Sequence, residues 1–135
     1  MFKEKIRVKN LKQRGKMTKT ESLPIYIEAY RLIQEIFRCT LKFPKEYKFT
    51  IGNSLNEDAV DLCSLISKAN HTTDKISTLD DFLSCLERVK VQIRLCVDFN
   101  LFSCSQQAFL AHSIEKITTQ ALAWIKSERR KQQRP

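Results

Sequence analysis

The sequence predicts an all-α protein, an up-down-up-down antiparallel four-helix bundle with basic N- and C-terminal tails. Three observations lead there. The 135 residues are 42% apolar and 29% charged, too hydrophobic for a disordered chain. Only two glycines and three prolines occur, so the turn formers of a many-stranded sheet are missing. Apolar residues recur every three to four positions, which is the mark of one buried stripe per helix. One domain is expected at this length, with a basic tail over 1–22, the bundle over 23–127 and a second tail over 128–135.

Pro24 opens the first helix, because a first turn tolerates the missing N–H. The spacing carries it to about Lys42, with Tyr26, Ala29, Tyr30, Ile33, Ile36, Phe37 and Leu41 on its stripe. Pro44 stops it and disfavours helix at Phe43, so FPKEYK reads as an extended surface elbow. The second helix spans about Phe49 to Asn70, burying Ile51, Leu55, Ala59, Leu62, Leu65, Ile66 and Ala69. Gly52, in its first turn, suits close approach of a neighbouring helix, and Asn70 suits a left-handed C-terminal cap.

A link of His71, Thr72 and Thr73 precedes the third helix, about Asp74 to Phe99. Asp74, Asp80 and Asp81 favour its positive end, while Ile76, Leu79, Phe82, Leu83, Leu86, Val89, Ile93, Cys96 and Val97 point inward. Ser103 and Gln106 have the spacing of a capping box and open the fourth helix, which runs to about Lys126. Its predicted stripe is Phe109, Leu110, Ile114, Ile117, Ala121, Leu122 and Ile125. Short links between such helices make neighbours antiparallel.

Charge is distributed unevenly. Residues 1–20 hold eight Lys/Arg against one Glu, a net +7, and residues 126–135 hold five against one, a net +4. Between them, eleven basic and thirteen acidic side chains leave the body at −2. Lys3, Lys5, Arg7, Lys9, Lys12, Arg14, Lys16 and Lys19, with Lys126, Arg129, Arg130, Lys131 and Arg134, are therefore candidate contacts to phosphates; a tail that only aids solubility or docks on an acidic protein surface is the competing reading. An up-down-up-down bundle places both tails at one pole. A smaller basic set, Arg31, Arg38, Lys42 and Lys45, lines one side of the first helix into the elbow; a solvated face is the competing reading of that set.

Catalytic signatures are missing. The sequence has no P-loop, G-x-S-x-G or H-E-x-x-H, and His71 and His112 have no second ligand at matched spacing. Glu57, Asp58 and Asp61 read as partners of a helix dipole rather than as a carboxylate dyad. Cys39, Cys63, Cys85, Cys96 and Cys104 are odd in number and lack C-x-x-C, so they read as small core hydrophobes in a reducing compartment. The apolar runs are too short for a membrane span, and a cytoplasmic location is expected. Neither a metal nor a cofactor is expected.

The elbow FPKEYKFTIGNSL, the run EDAVDLCSLISKAN, the helix end LCVDFNLFS and the segment SQQAFLAHSIEKITTQALAWIKS together resemble the Avd-like four-helix-bundle family. Its members are accessory proteins of diversity-generating retroelements, related to the ribosomal-RNA intervening-sequence proteins. The resemblance covers about Leu23 to Ser127. It implies a non-enzymatic adaptor that assembles as a homo-oligomer of five copies and binds a reverse transcriptase and its template RNA; because phosphate contacts do not read bases, DNA is a second candidate nucleic-acid partner. The alternative it implies is a stand-alone bundle of the intervening-sequence type without a reverse transcriptase. Independently of the family, Tyr26, Tyr30, Phe37, Phe82, Phe99, Phe102 and Trp124 are more aromatics than a slim bundle buries, so a subunit interface is expected to cover some of them.

Overall fold

The computed structural model describes residues 19–134. Four long helices carry the architecture: α1 (Pro24–Thr40), α2 (Asn53–His71), α3 (Lys75–Asp98) and α4 (Cys104–Gln132). Among the described residues there is no strand. Each helix packs on the next, and α4 closes the bundle against α1.

Contacts between helices set their directions. Thr40 at the end of α1 meets Asn56 early in α2, whereas Thr20, ahead of α1, meets Asn70 late in α2. Asp58 of α2 meets Gln92 of α3, and Ala69 clusters with Leu79 and with Ile125 of α4. Glu28 accepts from Ser113, and Phe43 packs on Phe102. Consecutive helices therefore run antiparallel, and the entry of α1 shares a pole with the later turns of α4.

The core is built from fully enclosed Leu32, Ile36, Leu55, Leu62, Ile66, Phe82, Val89, Leu110 and Ile117, each worth roughly 1.5–3 kcal/mol of burial. On α1 the buried phase is Ile25, Ala29, Leu32, Ile36 and Cys39, alternating steps of four and three. That corrects the stripe read from sequence: Tyr30, Phe37 and Leu41 face solvent, because the smaller set lets α1 approach both of its neighbours. The same correction applies to α4. There Leu110, Ile114, Ile117, Ala121 and Ile125 are buried, while Phe109 and Leu122 each sit one residue, or about 100° of rotation, off the stripe and are exposed.

The elbow also differs from its sequence reading. Phe43 is 6% exposed and lies against Phe102, ring centroids 5.5 Å apart, so it anchors the turn rather than decorating it. Pro44 (φ −53°, ψ 148°) serves as the N-cap of a helical turn at Lys45–Tyr47, earlier than expected. A π-helical turn, Lys48–Gly52, then feeds α2. Gly52 is buried, and a Cβ there would stand 3.2 Å from the Tyr47 carbonyl, 3.5 Å from Phe43 Cδ2 and 3.8 Å from Thr40 Cβ, so the close approach to α1 is real.

Helix ends follow capping chemistry. Asn70 is helical and is no left-handed cap; α2 runs on to His71 and ends at extended Thr72. Asn100 takes that role instead, with φ 60° and N–H bonds from Asn100 to Val97 O and from Leu101 to Cys96 O, a Schellman ending of α3. Asp74 caps α3 by accepting from Ser77 N at 3.2 Å, and the capping box of Ser103 and Gln106 is complete. Helix α4 does not stop at Lys126: the segment read as a tail from 128 onward is helical as far as Gln132.

Candidate nucleic-acid interface

Seven of the candidate basic residues, Lys3, Lys5, Arg7, Lys9, Lys12, Arg14 and Lys16, lie outside the described residues. The others fall into two groups. Lys19 is exposed one residue before Thr20, at the pole where Thr20 bonds Asn70. Lys126 is exposed immediately after Ile125, which packs on Ala69 at that same pole. Arg129, Arg130, Lys131 and Arg134 follow along and just past the end of α4, all exposed. The α1 entry and the cationic last turns of α4 are thus brought together.

Lys42 and Lys45 lie at the other pole, exposed on either side of the elbow. The 17 residues of α1 separate the two poles by about 26 Å at 1.5 Å per residue. Arg31 and Arg38 stand between them on α1. Arg38 is already engaged, its Nη1 donating to Glu35 Oε2 at 2.6 Å, and Lys131 Nζ pairs with Glu128 at 3.1 Å. Such exposed pairs contribute about 0–1 kcal/mol and exchange readily for another anion.

An arrangement that sequence reasoning missed lies on α1. Tyr30, Phe37 and Leu41 are exposed, and each is followed directly by a cation: Arg31, Arg38 and Lys42. An apolar stripe and a basic stripe therefore run side by side along one helix. The three dipeptides were visible in the sequence, but assigning their apolar members to the core hid the pattern.

The acid and histidine candidates divide between structural partners and open surface. Asp58 accepts from Gln92 Nε2 at 2.6 Å and lies 3.7 Å from Arg88 Nε, and its carbonyl accepts from Cys85 Sγ, so this acid clamps α2 to α3. His71 Nδ1 lies 2.8 Å from the Ser67 carbonyl, one turn back. His112 is exposed on α4. Among the described residues no group of three or more His, Cys, Asp or Glu is placed to hold a metal ion. Burial pushes the Cys63 thiol up to about 12 and those of Cys39, Cys85 and Cys96 up to about 11, so these sulfurs stay protonated and unreactive. Cys104 departs from the core reading, since it is exposed at the start of α4.

The bAvd-like family matches residues 24–128, from the first residue of α1 into the last turns of α4. The chain belongs to the bAvd-like family. Its elbow, its Schellman turn and its capping box all fall inside the matched span. A search of curated proteins finds no match. No helix among the described residues is long and apolar enough to cross a membrane.

Proposed function

We propose that this bAvd-like protein is a non-enzymatic accessory subunit of a diversity-generating retroelement, one that assembles with copies of itself in the cytoplasm and holds a reverse transcriptase together with its template RNA. The observation that carries the reading is membership of the bAvd-like family across the whole bundle. Two features support it. The cationic end of α4 and the entry from the +7 segment meet at one pole of a body whose own net charge is −2, a distribution suited to displacing counterions from a polyanion. The exposed apolar residues exceed what an isolated bundle requires and fit contacts with further protein chains.

In this role the terminal cations contact phosphates without reading bases, so RNA binding is sequence-tolerant and steeply salt-dependent. Each phosphate neutralised on a single strand adds about 0.7 to the slope of log affinity against log salt. The test is a titration of the full chain and of a chain lacking residues 1–20 with a single-stranded RNA across a salt series. Loss of affinity and a shallower slope in the shortened chain support the reading; unchanged affinity removes the N-terminal cations from it.

A further inference from the structure

We propose that the N-terminal segment of this chain folds back on its own bundle, with Phe2, Ile6 and Val8 seated in the groove between α1 and α2. The inference stands apart from the accessory role, since the contact needs neither a reverse transcriptase nor RNA. Two side-chain bonds define the groove by tying the antiparallel helices together: the Tyr26 hydroxyl bonds Cys63, and Thr40 Oγ1 donates to Asn56 at 3.1 Å. Between and just past these ties α1 carries Tyr30, Phe37 and Leu41, all exposed. Across from them stands Val60, one turn after Asn56 and three residues before Cys63, so it shares the flank of α2 that faces α1. Val60 is 44% exposed and Leu41 66%, which leaves an apolar groove without a cover.

The 18 residues ahead of Lys19 lie outside the described residues, and their sequence matches this groove in pattern and length. Phe2, Ile6 and Val8 occupy even positions, whereas Lys3, Lys5, Arg7 and Lys9 fill the odd ones. That alternation gives a one-sided strand, apolar on the face turned to the groove and cationic on the other. From Phe2 to Val8 such a strand covers about 20 Å at 3.3 Å per residue. Tyr30 to Leu41 covers about 16 Å along the helix.

Position and charge fit as well. Thr20 is fixed against Asn70 at the pole where α1 begins, and Tyr30 lies about 9 Å along the helix from Pro24. Residues 9–18 reach up to about 33 Å, and Gly15 among them suits the reversal of direction. The segment therefore runs antiparallel to α1, with Val8 beside Tyr30 and Phe2 toward Leu41. On α2, Glu57 and Asp61 share a stripe beside Val60; both are exposed and neither has an ion pair among the described residues. The four cations of the segment meet that acidic border, and Glu4 meets the basic border of Arg31 and Lys42 on α1. Val91, Leu95 and Leu122, on α3 and α4, stay outside this contact and remain exposed to other chains.

The experiment uses the full chain with Phe2 replaced by the photoreactive p-benzoylphenylalanine. Irradiation at high salt screens the ion pairs and leaves the apolar contact to be read. Mass spectrometry should find the crosslink on Phe37, Leu41 or Val60, and a denaturing gel should show it within one chain. Val60→Asp and Ile6→Asp should each lower the crosslink yield about tenfold, as loss of one buried aliphatic contact requires. Leu122→Asp, at an exposed position on α4, should leave the yield unchanged. Ile6 precedes the bundle, so the effect of Ile6→Asp is not an effect on the core.

Crosslinks scattered over the surface, or gathered on α3 or α4, would overturn the groove as the docking site. A crosslinked dimer on the denaturing gel would show the segment seated on another copy and overturn the intramolecular contact. A yield insensitive to both aspartate substitutions would overturn the apolar basis of the docking. No crosslink at all would overturn the fold-back itself.

Discussion

Asn70 Nδ2 donates to Thr20 Oγ1 at 2.9 Å, tying the chain ahead of α1 to the last turn of α2 across fifty residues of sequence. Thr20 is 4% exposed, so its hydroxyl has little access to water as a substitute partner. This bond holds the entry of the basic N-terminal segment at the pole where α4 carries its cations. Removing the amide in Asn70→Ala leaves the threonine hydroxyl buried without that donor and is expected to cost about 1–2 kcal/mol. Thermal unfolding should fall by a few degrees; an unchanged midpoint would show that the bond does not form.

A second polar closure lies beside it. Lys75 Nζ donates to the carbonyls of Ala69, Asn70 and Thr72 at 2.9, 3.3 and 3.1 Å, so the first residue of α3 caps the open end of α2. Lys75→Met keeps the aliphatic stem and deletes the donors. An expected loss of about 1–2 kcal/mol in denaturant unfolding, with hydrogen exchange accelerated at the end of α2, checks it.

At the opposite pole the tight spot is Gly52. Any side chain there brings its Cβ to 3.2 Å from the Tyr47 carbonyl, and the further carbons of a leucine have to find room past Phe43 and Thr40, already in van der Waals contact with that Cβ at 3.5 and 3.8 Å. Overpacking of that kind costs roughly 1–3 kcal/mol, and Gly52→Leu should unfold at correspondingly lower denaturant. A midpoint unchanged from the wild type would mean that the elbow is looser than the contacts indicate.

The buried thiols give a dependence on pH. Burial raises the Cys63 thiol to about 12 and Cys39, Cys85 and Cys96 to about 11, above the ordinary thiol value near 9. The folded chain then holds these protons over a range in which the unfolded chain releases them. Stability from the four thiols is full below the unfolded value, is lost as pH rises from about 9 and is gone once it passes the folded values of about 11–12. Unfolding midpoints of wild type and a Cys63→Ala variant across pH 8 to about 11 check this, the wild type falling more steeply. With a bulky disulfide reagent at neutral pH, Cys104 alone should react in the native state, and the other four only after unfolding.

Much of the fold was legible because it rests on local chemistry. Pro24 at the start of α1 and the capping box at Ser103 and Gln106 need only sequence spacing to be read, and both are formed. The phase of α1 was harder. Its sequence offers two interleaved apolar stripes, and only the distance to the neighbouring helices selects the one with Ala29 and Cys39 over the one with Tyr30 and Phe37. Asn70 and Asn100 are both plausible left-handed caps by residue type, and the choice between them depends on Thr20, which supplies a tertiary partner for the first. For the candidate interface, charge counting and the up-down order were enough to set the cations of α4 apart from Lys42 and Lys45 at the elbow, but the exposure of Tyr30, Phe37 and Leu41 beside Arg31, Arg38 and Lys42 depends on the phase of α1 and was not legible.

The most direct test of the accessory role is co-expression of the full chain with the reverse transcriptase of the same retroelement, followed by size exclusion with light scattering and RNA detection across the peak. A single species holding several copies of this chain, the reverse transcriptase and RNA is the expected result. A reverse transcriptase that elutes by itself, with this chain in a separate fraction free of RNA, would contradict it.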